Sequence, residues 1–333
     1  MFGREIHRLG VKSGRGLERI LAPVAAQCRS HADWSRKEPT RKRWEKHSAR
    51  RPEVISADLP NTELLYGVAP VLAALRRGSR EVYGLYYRGN NIGDVFHDKM
   101  EEIFSMAKER CVPIMSVSKE KLMRAVDGNI HQGVVLKVSK IKDHTLLRLG
   151  QFKDGQYAVN TNEDAFVYES RRKYPLWVCL DRIQDQYNLG SIMRSALFFG
   201  ADGIVIDYKE GCKPTPHVCK ASAGAREYIP CFSSRSIVEL LDQAKQDGWT
   251  VISTSTRDAA DKASATPECL ASIDGPAIVV LGNEGFGVRE QIVRNSSVSV
   301  HIPVRADTPE MFDSLNVGVA AAITLSAIRF VGE

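Results

Sequence analysis

Apolar and polar positions in this chain switch between strand-like and helix-like spacing, and the switches fall into two blocks. The first block opens at residues 61–67, Asn-Thr-Glu-Leu-Leu-Tyr-Gly. Val68 to Leu75 is apolar with small residues and is closed by Arg76, Arg77 and Gly78, which predicts a short helix. Val82 to Tyr87 predicts a strand. Asp98 to Arg110, with apolar residues at 100, 103, 104 and 107, predicts a helix. Val112 to Val117 predicts a second strand, Lys119 to Val126 a second short helix, and Gly133 to Val138 a closing strand. The block is an α/β module of about 80 residues, well inside the size range of a small domain.

The second block has the same alternation. Strands are predicted at Leu176–Leu180, Gly203–Asp207, Trp249–Thr254, Ala277–Leu281 and Val298–Pro303. Helices are predicted at Asn188–Phe199, Ile237–Gln246 and Leu315–Phe330. Asn188 is the expected N-cap of the first helix and Gly200 its stop. Ala277–Leu281 is continuously apolar, as strands of buried parallel sheets are. Strand–helix alternation of this kind implies a parallel α/β sheet. The polar stretch 140–174 reads as a linker with a short hairpin. The expected division is therefore an arm at 1–60, a first domain at 61–139, the linker, and a second domain at 175–333.

Charge adds a feature that periodicity does not show. Residues 1–53 hold 14 Lys+Arg and 6 Asp+Glu, whereas the rest of the chain holds 32 and 34. The whole net charge of +6 thus comes from the arm, which has few apolar clusters and is expected to be largely disordered. It reads as a transit region, as a basic tail for nucleic acid, or as a solvated extension. Glu5, Glu18 and Asp33 count against the first reading. No apolar run of about 18 residues occurs, so no membrane span is expected. The seven cysteines include no Cys-x-x-Cys pair, and Cys212, Cys219 and His217 lack a zinc spacing. They read as core thiols of a reducing compartment, and no metal is expected.

Three separated segments place polar or glycine residues at the carboxyl ends of apolar runs. They are 188–194 (Asn-Leu-Gly-Ser-Ile-Met-Arg), 281–285 (Leu-Gly-Asn-Glu-Gly), and 302–304 followed by 314–317. In an open α/β sheet, that edge is where ligands bind. The glycine loop after Leu281 lacks the Gly-Lys-Ser/Thr ending of a P-loop and the spacing of a dinucleotide fingerprint. Arg194 offers a guanidinium suited to phosphate or ribose oxygens.

Together these segments resemble the three signature motifs of the SpoU (TrmH-type) RNA ribose methyltransferases of the SPOUT superfamily. Asn188 and Arg194 match the first motif, Asn283-Glu284-Gly285 the second, and Ile302-Pro303 with Ser314-Leu315-Asn316 the third. The likeness covers about residues 175–330. The module at 62–138 resembles the ribosomal-protein-like RNA-binding domain that often precedes this catalytic domain. Arg305 to Asp313, between the halves of the third motif, is longer than the family pattern.

The resemblance implies a parallel-sheet catalytic domain with a C-terminal trefoil knot, and a homodimer with its active site near the subunit interface. It implies S-adenosyl-L-methionine held in the knot by Thr254, Leu281, Gly282, Asn283, Gly285, Ile302, Ser314 and Leu315. The implied reaction is methylation of a ribose 2′-hydroxyl, with a guanosine of mitochondrial large-subunit rRNA as the expected target. A tRNA 2′-O-methyltransferase and a non-catalytic ribosome-assembly factor are the alternatives. Arg194, Asn188, Glu284, Ser314 and Asn316 are the implied catalytic set.

Physical chemistry constrains their roles. Methyl transfer needs a nucleophile in line with the breaking bond, and positioning alone can contribute roughly 7–11 kcal/mol. An arginine pKa above about 12 leaves almost no neutral guanidine, so Arg194 reads as an orienting cation rather than a base. Asn188, Glu284, Ser314 and Asn316 would position it and the ribose. In the first domain, Arg76, Arg77, Arg80, Arg88 and Lys137 are candidate phosphate contacts. Asn90, in the turn beside Tyr86 and Tyr87, is a candidate for gripping irregular RNA.

Overall fold

The computed structural model describes residues 55–56, 60–89, 96–170, 172–255, 265–309 and 314–328. The basic arm falls outside the described residues apart from 55–56 and 60, and so does Asn90. The described chain divides between Lys140 and Ile141 into two compact units.

The first unit runs β1 (Thr62–Tyr66), α1 (Val68–Arg77), β2 (Val82–Arg88), α2 (His97–Glu109), β3 (Ile114–Val117), α3 (Lys119–Ala125) and β4 (Val134–Ser139). Its sheet has the order β1-β4-β2-β3, with β2 and β3 parallel and the other pairs antiparallel. The helices and strands expected here form within a residue or two at each end. The additional strand, β1, is buried at all five positions and so lacks alternation. Glu63 sits inside it because Arg80, 5% exposed, pairs with its carboxylate and also donates to the Ser139 carbonyl at 2.9 Å. That burial corrects the expectation for Arg80, which is a strand anchor and cannot reach a phosphate. Tyr86 is a core residue, and Tyr87 packs edge-on against Phe104 with centroids 4.9 Å apart.

The second unit runs β5 (His144–Leu149), β6 (Gln156–Thr161), β7 (Ala165–Glu169), β8 (Leu176–Asp181), α4 (Gln186–Phe198), β9 (Gly203–Asp207), α5 (Pro216–Ala221) and β10 (Cys231–Ser234). It continues with α6 (Ile237–Gln246), β11 (Thr250–Thr254), β12 (Ala277–Gly282), α7 (Glu290–Asn295), β13 (Val298–Val300) and α8 (Val317–Ile328). The nine strands form one sheet in the order β13-β11-β12-β8-β9-β10-β5-β6-β7. From β13 to β5 every pairing is parallel, as the alternation implied. β8, β9 and β12 are buried at every position because elements cover both faces.

Residues 140–174 do not form a plain linker. β5 joins the parallel sheet beside β10, and β6 and β7 add two antiparallel strands to its edge. Aromatic packing docks them. The Trp177 indole donates to the Tyr157 hydroxyl at 2.9 Å, and the Tyr157 ring meets Trp249 edge-on at 5.3 Å. Two helix starts also differ from expectation. Asp185, not Asn188, caps α4, its carboxylate accepting from the amides of Tyr187 at 2.7 Å and Asn188 at 2.9 Å. α8 starts at Val317 because the Asn316 side-chain oxygen accepts from the Gly318 amide at 2.9 Å. β13 ends at Val300 rather than at Pro303, which has no N–H to offer a sheet.

Candidate active site

The chain runs β8 to β9 to β10 in one direction, then returns to β11 on the other side of β8. The reversal lies between β8 and β12, whose final residues Asp181 and Gly282 pair in register. Crevices of α/β sheets open at such reversals, beyond the carboxyl ends of the strands.

The loop after β12 is tightly held. Asn283 and Gly287 exchange backbone hydrogen bonds of 3.1 and 2.9 Å. The Asn283 side-chain oxygen accepts from the Gly285 amide at 2.9 Å and the Phe286 amide at 3.2 Å, and its amide donates to the Arg182 carbonyl at 2.9 Å. Asn283 is thus committed to the loop through both its side chain and its backbone. Gly282 has no room for a side chain, because a Cβ there would meet the Val288 nitrogen at 2.1 Å. The loop closes over that position so tightly that only glycine fits.

Below the loop lies an ionic clamp that the sequence reading missed. Arg289 donates from its backbone amide to the fully buried Asp181 at 2.8 Å and from Nε at 2.7 Å. It reaches Asp207 at 3.3 Å. Burial disfavours the Arg289 charge, but the Asp181 hydrogen bond and the charges of Asp181, Asp207 and Glu210 outweigh it and hold the group above its usual range. The clamp joins the ends of β8 and β9 to the start of α7. An aspartate ending a buried strand is the signal that could have pointed to it.

Three of the expected catalytic residues meet directly. The Asn316 amide donates to the Asn188 side-chain oxygen at 2.9 Å, and the Asn188 amide donates to Glu284 at 2.9 Å. The close approach of α4 and α8 makes this possible. A Cβ at Gly318 would lie 2.7 Å from the Ser191 hydroxyl, so glycine lets the helices meet there. The Asn188 amide engages one oxygen of Glu284, which is exposed.

Arg194 stands apart from that chain. It is exposed, and among the described residues nothing pairs with its guanidinium. Six positions beyond Asn188, it lies about 9 Å further along the helix and roughly 120° around it. Ser314 and Leu315 are exposed just before Asn316, and Leu315 is 50% exposed. Among the expected cofactor residues, Thr254 ends β11 and donates to the Val280 carbonyl at 3.2 Å. Leu281 is fully buried at the end of β12, and Ile302 is half-buried after β13. Because β13, β11 and β12 are neighbours in the sheet, their carboxyl ends form one edge. In the first unit, Arg76 makes a two-pronged ion pair with Glu102 at 2.7 and 2.8 Å. Arg77 closes α1, and half-buried Arg88 closes β2.

Comparison with known proteins matches both units. The SpoU rRNA Methylase family model matches residues 175–326. The model described as RNA 2′-O ribose methyltransferase substrate binding matches residues 64–143. Human "rRNA methyltransferase 1, mitochondrial" is 32% identical over 271 residues, covering 80% of this chain and 72% of that protein. The Schizosaccharomyces pombe protein of the same name is 32% identical over 311 residues, covering 90% of this chain and 99% of that one. The AdoMet-bound rRNA methyltransferase from Sinorhizobium meliloti shares the fold, with a TM-score of 0.57 at 21% identity, over 81% of this chain and 87% of that one. With the motif residues gathered at one sheet edge and both units matched, the chain belongs to the SpoU family of RNA methyltransferases.

Proposed function

We propose that this protein transfers the methyl group of S-adenosylmethionine to the 2′-hydroxyl of a guanosine ribose in mitochondrial large-subunit rRNA. The observation that carries the reading is the Asn316–Asn188–Glu284 chain at the point where the sheet reverses direction. The mitochondrial rRNA target is supported by the names of the human and fission-yeast relatives and by the basic arm, read as a transit region.

The site suits the cofactor. The ends of β11, β12 and β13 present backbone groups around Thr254, Leu281, Gly282 and Ile302, and half-exposed Leu315 offers apolar cover for a purine. Asn283 and Gly285 shape the loop, and Ser314 lies beside Leu315. Bound there, S-adenosylmethionine supplies an electrophilic methyl group. Arg194, permanently charged, orients the ribose and stabilises negative charge developing on its oxygen. Asn188, Glu284, Asn316 and Ser314 keep ribose and guanidinium in line, the positioning on which the rate depends.

The segment after β13 forms the family's trefoil knot, and two copies associate. Support for the dimer comes from α8, whose sequence is apolar or small all round while Val319 stays 48% exposed, and from exposed Leu315 and Phe198. A helix apolar on every side is buried in its working state. In a dimer, the Arg194 guanidinium, which finds no partner among the described residues of its own copy, has a site to complete. Residues 61–139 read the RNA through Arg77, Arg88 and Asn90. Arg76 joins them by exchanging its exposed Glu102 pair for a phosphate, an exchange that costs little. Residues 175–333 carry the methyltransferase.

Ribose-methylation mapping of mitochondrial large-subunit rRNA, in cells lacking the protein and in cells given it back, tests the target. Loss and recovery of one methylated guanosine supports it. An unchanged rRNA map with a change in tRNA moves the substrate to tRNA.

A further inference from the structure

The clearest feature outside the catalytic cluster is a basic, aromatic surface on the same sheet edge, beyond β9 and β10. Tyr208 directly follows β9 and is 48% exposed. Its amide donates to the Ser234 carbonyl at 2.9 Å, which sets Arg235 beside it. The Lys213 ammonium lies 5.9 Å from the Tyr208 ring and the Arg235 guanidinium 6.0 Å, at the outer limit of cation–π attraction. Lys209, Lys213 and Arg235 are all exposed, and among the described residues no carboxylate pairs with any of them. Glu210 is the single acidic residue in the turn 208–217.

This turn is braced. Asp207 accepts from the amides of Lys209 at 2.9 Å and Glu210 at 3.0 Å. The Cys212 amide donates to the Ile183 carbonyl at 2.7 Å, and the Thr215 hydroxyl donates to the Gln186 side chain at 3.2 Å. Those last two bonds tie the turn to the segment that starts α4. There Tyr187, 65% exposed, meets the His217 ring edge-on at 4.9 Å. Tyr187 is the residue before Asn188. The surface therefore begins at the catalytic cluster and extends across β9 to β10, a span of about 10 Å at normal strand spacing.

We infer that this face of the catalytic unit is a track for single-stranded RNA flanking the methylated nucleotide, with Tyr187 and Tyr208 stacking on bases and Lys209, Lys213 and Arg235 meeting phosphates. The inference rests on the RNA methyltransferase reading and adds a second RNA contact to the one made by residues 61–139. Exposed rings between unpaired cations on a braced scaffold are what sequence-tolerant single-strand binding uses. A duplex keeps its bases stacked inside and offers these rings nothing.

The test uses the full chain and a fluorescent, mixed-sequence single-stranded RNA of about ten nucleotides, within the site sizes such surfaces cover. Affinity is read by anisotropy across several salt concentrations, with the matching duplex as control. The K213E/R235E double variant is expected to bind at least about tenfold more weakly, with a salt slope lower by about 1.4 for two lost phosphate contacts. Tyr208→Ala is expected to cost about fivefold or more, and Tyr208→Phe to restore binding. S-adenosylhomocysteine titration confirms that each variant is folded.

Unchanged affinity and salt slope in the folded double variant overturn the track. So does a change in oligomeric state without a change in RNA binding, which makes the face a contact between copies. Should the double variant fail to fold, crosslinking of 4-thiouridine RNA to the unaltered chain decides, and absence of adducts at both Tyr187 and Tyr208 overturns it. If the unaltered chain methylates no RNA, the functional reading fails. If it methylates RNA and the double variant matches it in binding and rate, only the track fails.

Discussion

Asn188 and Glu284, 96 positions apart in sequence, are joined by a hydrogen bond of 2.9 Å. The bond exists because Asp185 takes over the capping of α4, so the Asn188 side chain is not spent on its own helix. Asn316 completes the chain while capping α8 with its other atom. One short network therefore sets the position of two helices and a loop.

That network predicts how its members fail. Asn188→Ala and Glu284→Gln should each lower kcat by about 100-fold, the usual effect of misplacing reacting groups by about an ångström. Affinity for S-adenosylhomocysteine should stay the same, because neither side chain belongs to the cofactor edge. Calorimetry and single-turnover kinetics on the two variants check this. Lost cofactor affinity with an unchanged rate of methyl transfer would move both residues into the cofactor site.

The glycine loop gives a paired comparison. A Cβ at Gly282 would lie 2.1 Å from the Val288 nitrogen, whereas at Gly285 the nearest atom would be the Asn283 oxygen at 3.6 Å. Gly282→Ala should open the loop and abolish cofactor binding, and Gly285→Ala should bind within a few-fold of the parent. Equal behaviour of the two variants would show that the loop's closure over Gly282 is not what shapes the cofactor edge.

The Arg289 clamp predicts a loss of stability. Arg289→Met removes the close ion pair of Asp181, 0% exposed, and leaves its buried charge facing Arg182 at 3.7 Å, at a cost of about 3 kcal/mol. For a unit of this size that corresponds to a melting temperature lower by roughly 6–12 °C. Asp181→Asn added to Arg289→Met should recover part of the loss, since it removes the stranded charge. Calorimetric melting of the single and double variants reads both numbers.

The contrast between motif and clamp explains what was legible in the sequence. The strand at Gly203–Asp207 and the helix at Ile237–Gln246 follow from local pattern and form as read. The motif residues Asn188, Glu284 and Asn316 were identifiable by resemblance, but their mutual contacts were not. β1 was missed because Glu63 breaks an apolar run, and its burial depends on Arg80. β6 does alternate, with Tyr157, Val159 and Thr161 buried, but the polar residues around it masked the pattern. The clamp depends on carboxylates 108 and 82 positions from Arg289, a separation that no periodicity reports. Local rules see a strand's own apolar face, whereas a buried charge is explained only by a distant partner.

The most direct test of the account is methyl transfer by the purified full chain from labelled S-adenosylmethionine to large-subunit rRNA, followed by alkaline hydrolysis. A 2′-O-methyl group blocks attack by the ribose oxygen, so label in alkali-resistant dinucleotides reports ribose methylation. The account predicts such label with the parent protein and its loss in Arg194→Ala, with S-adenosylhomocysteine affinity kept within a few-fold. Label confined to alkali-sensitive mononucleotides, or full activity in Arg194→Ala, would contradict it.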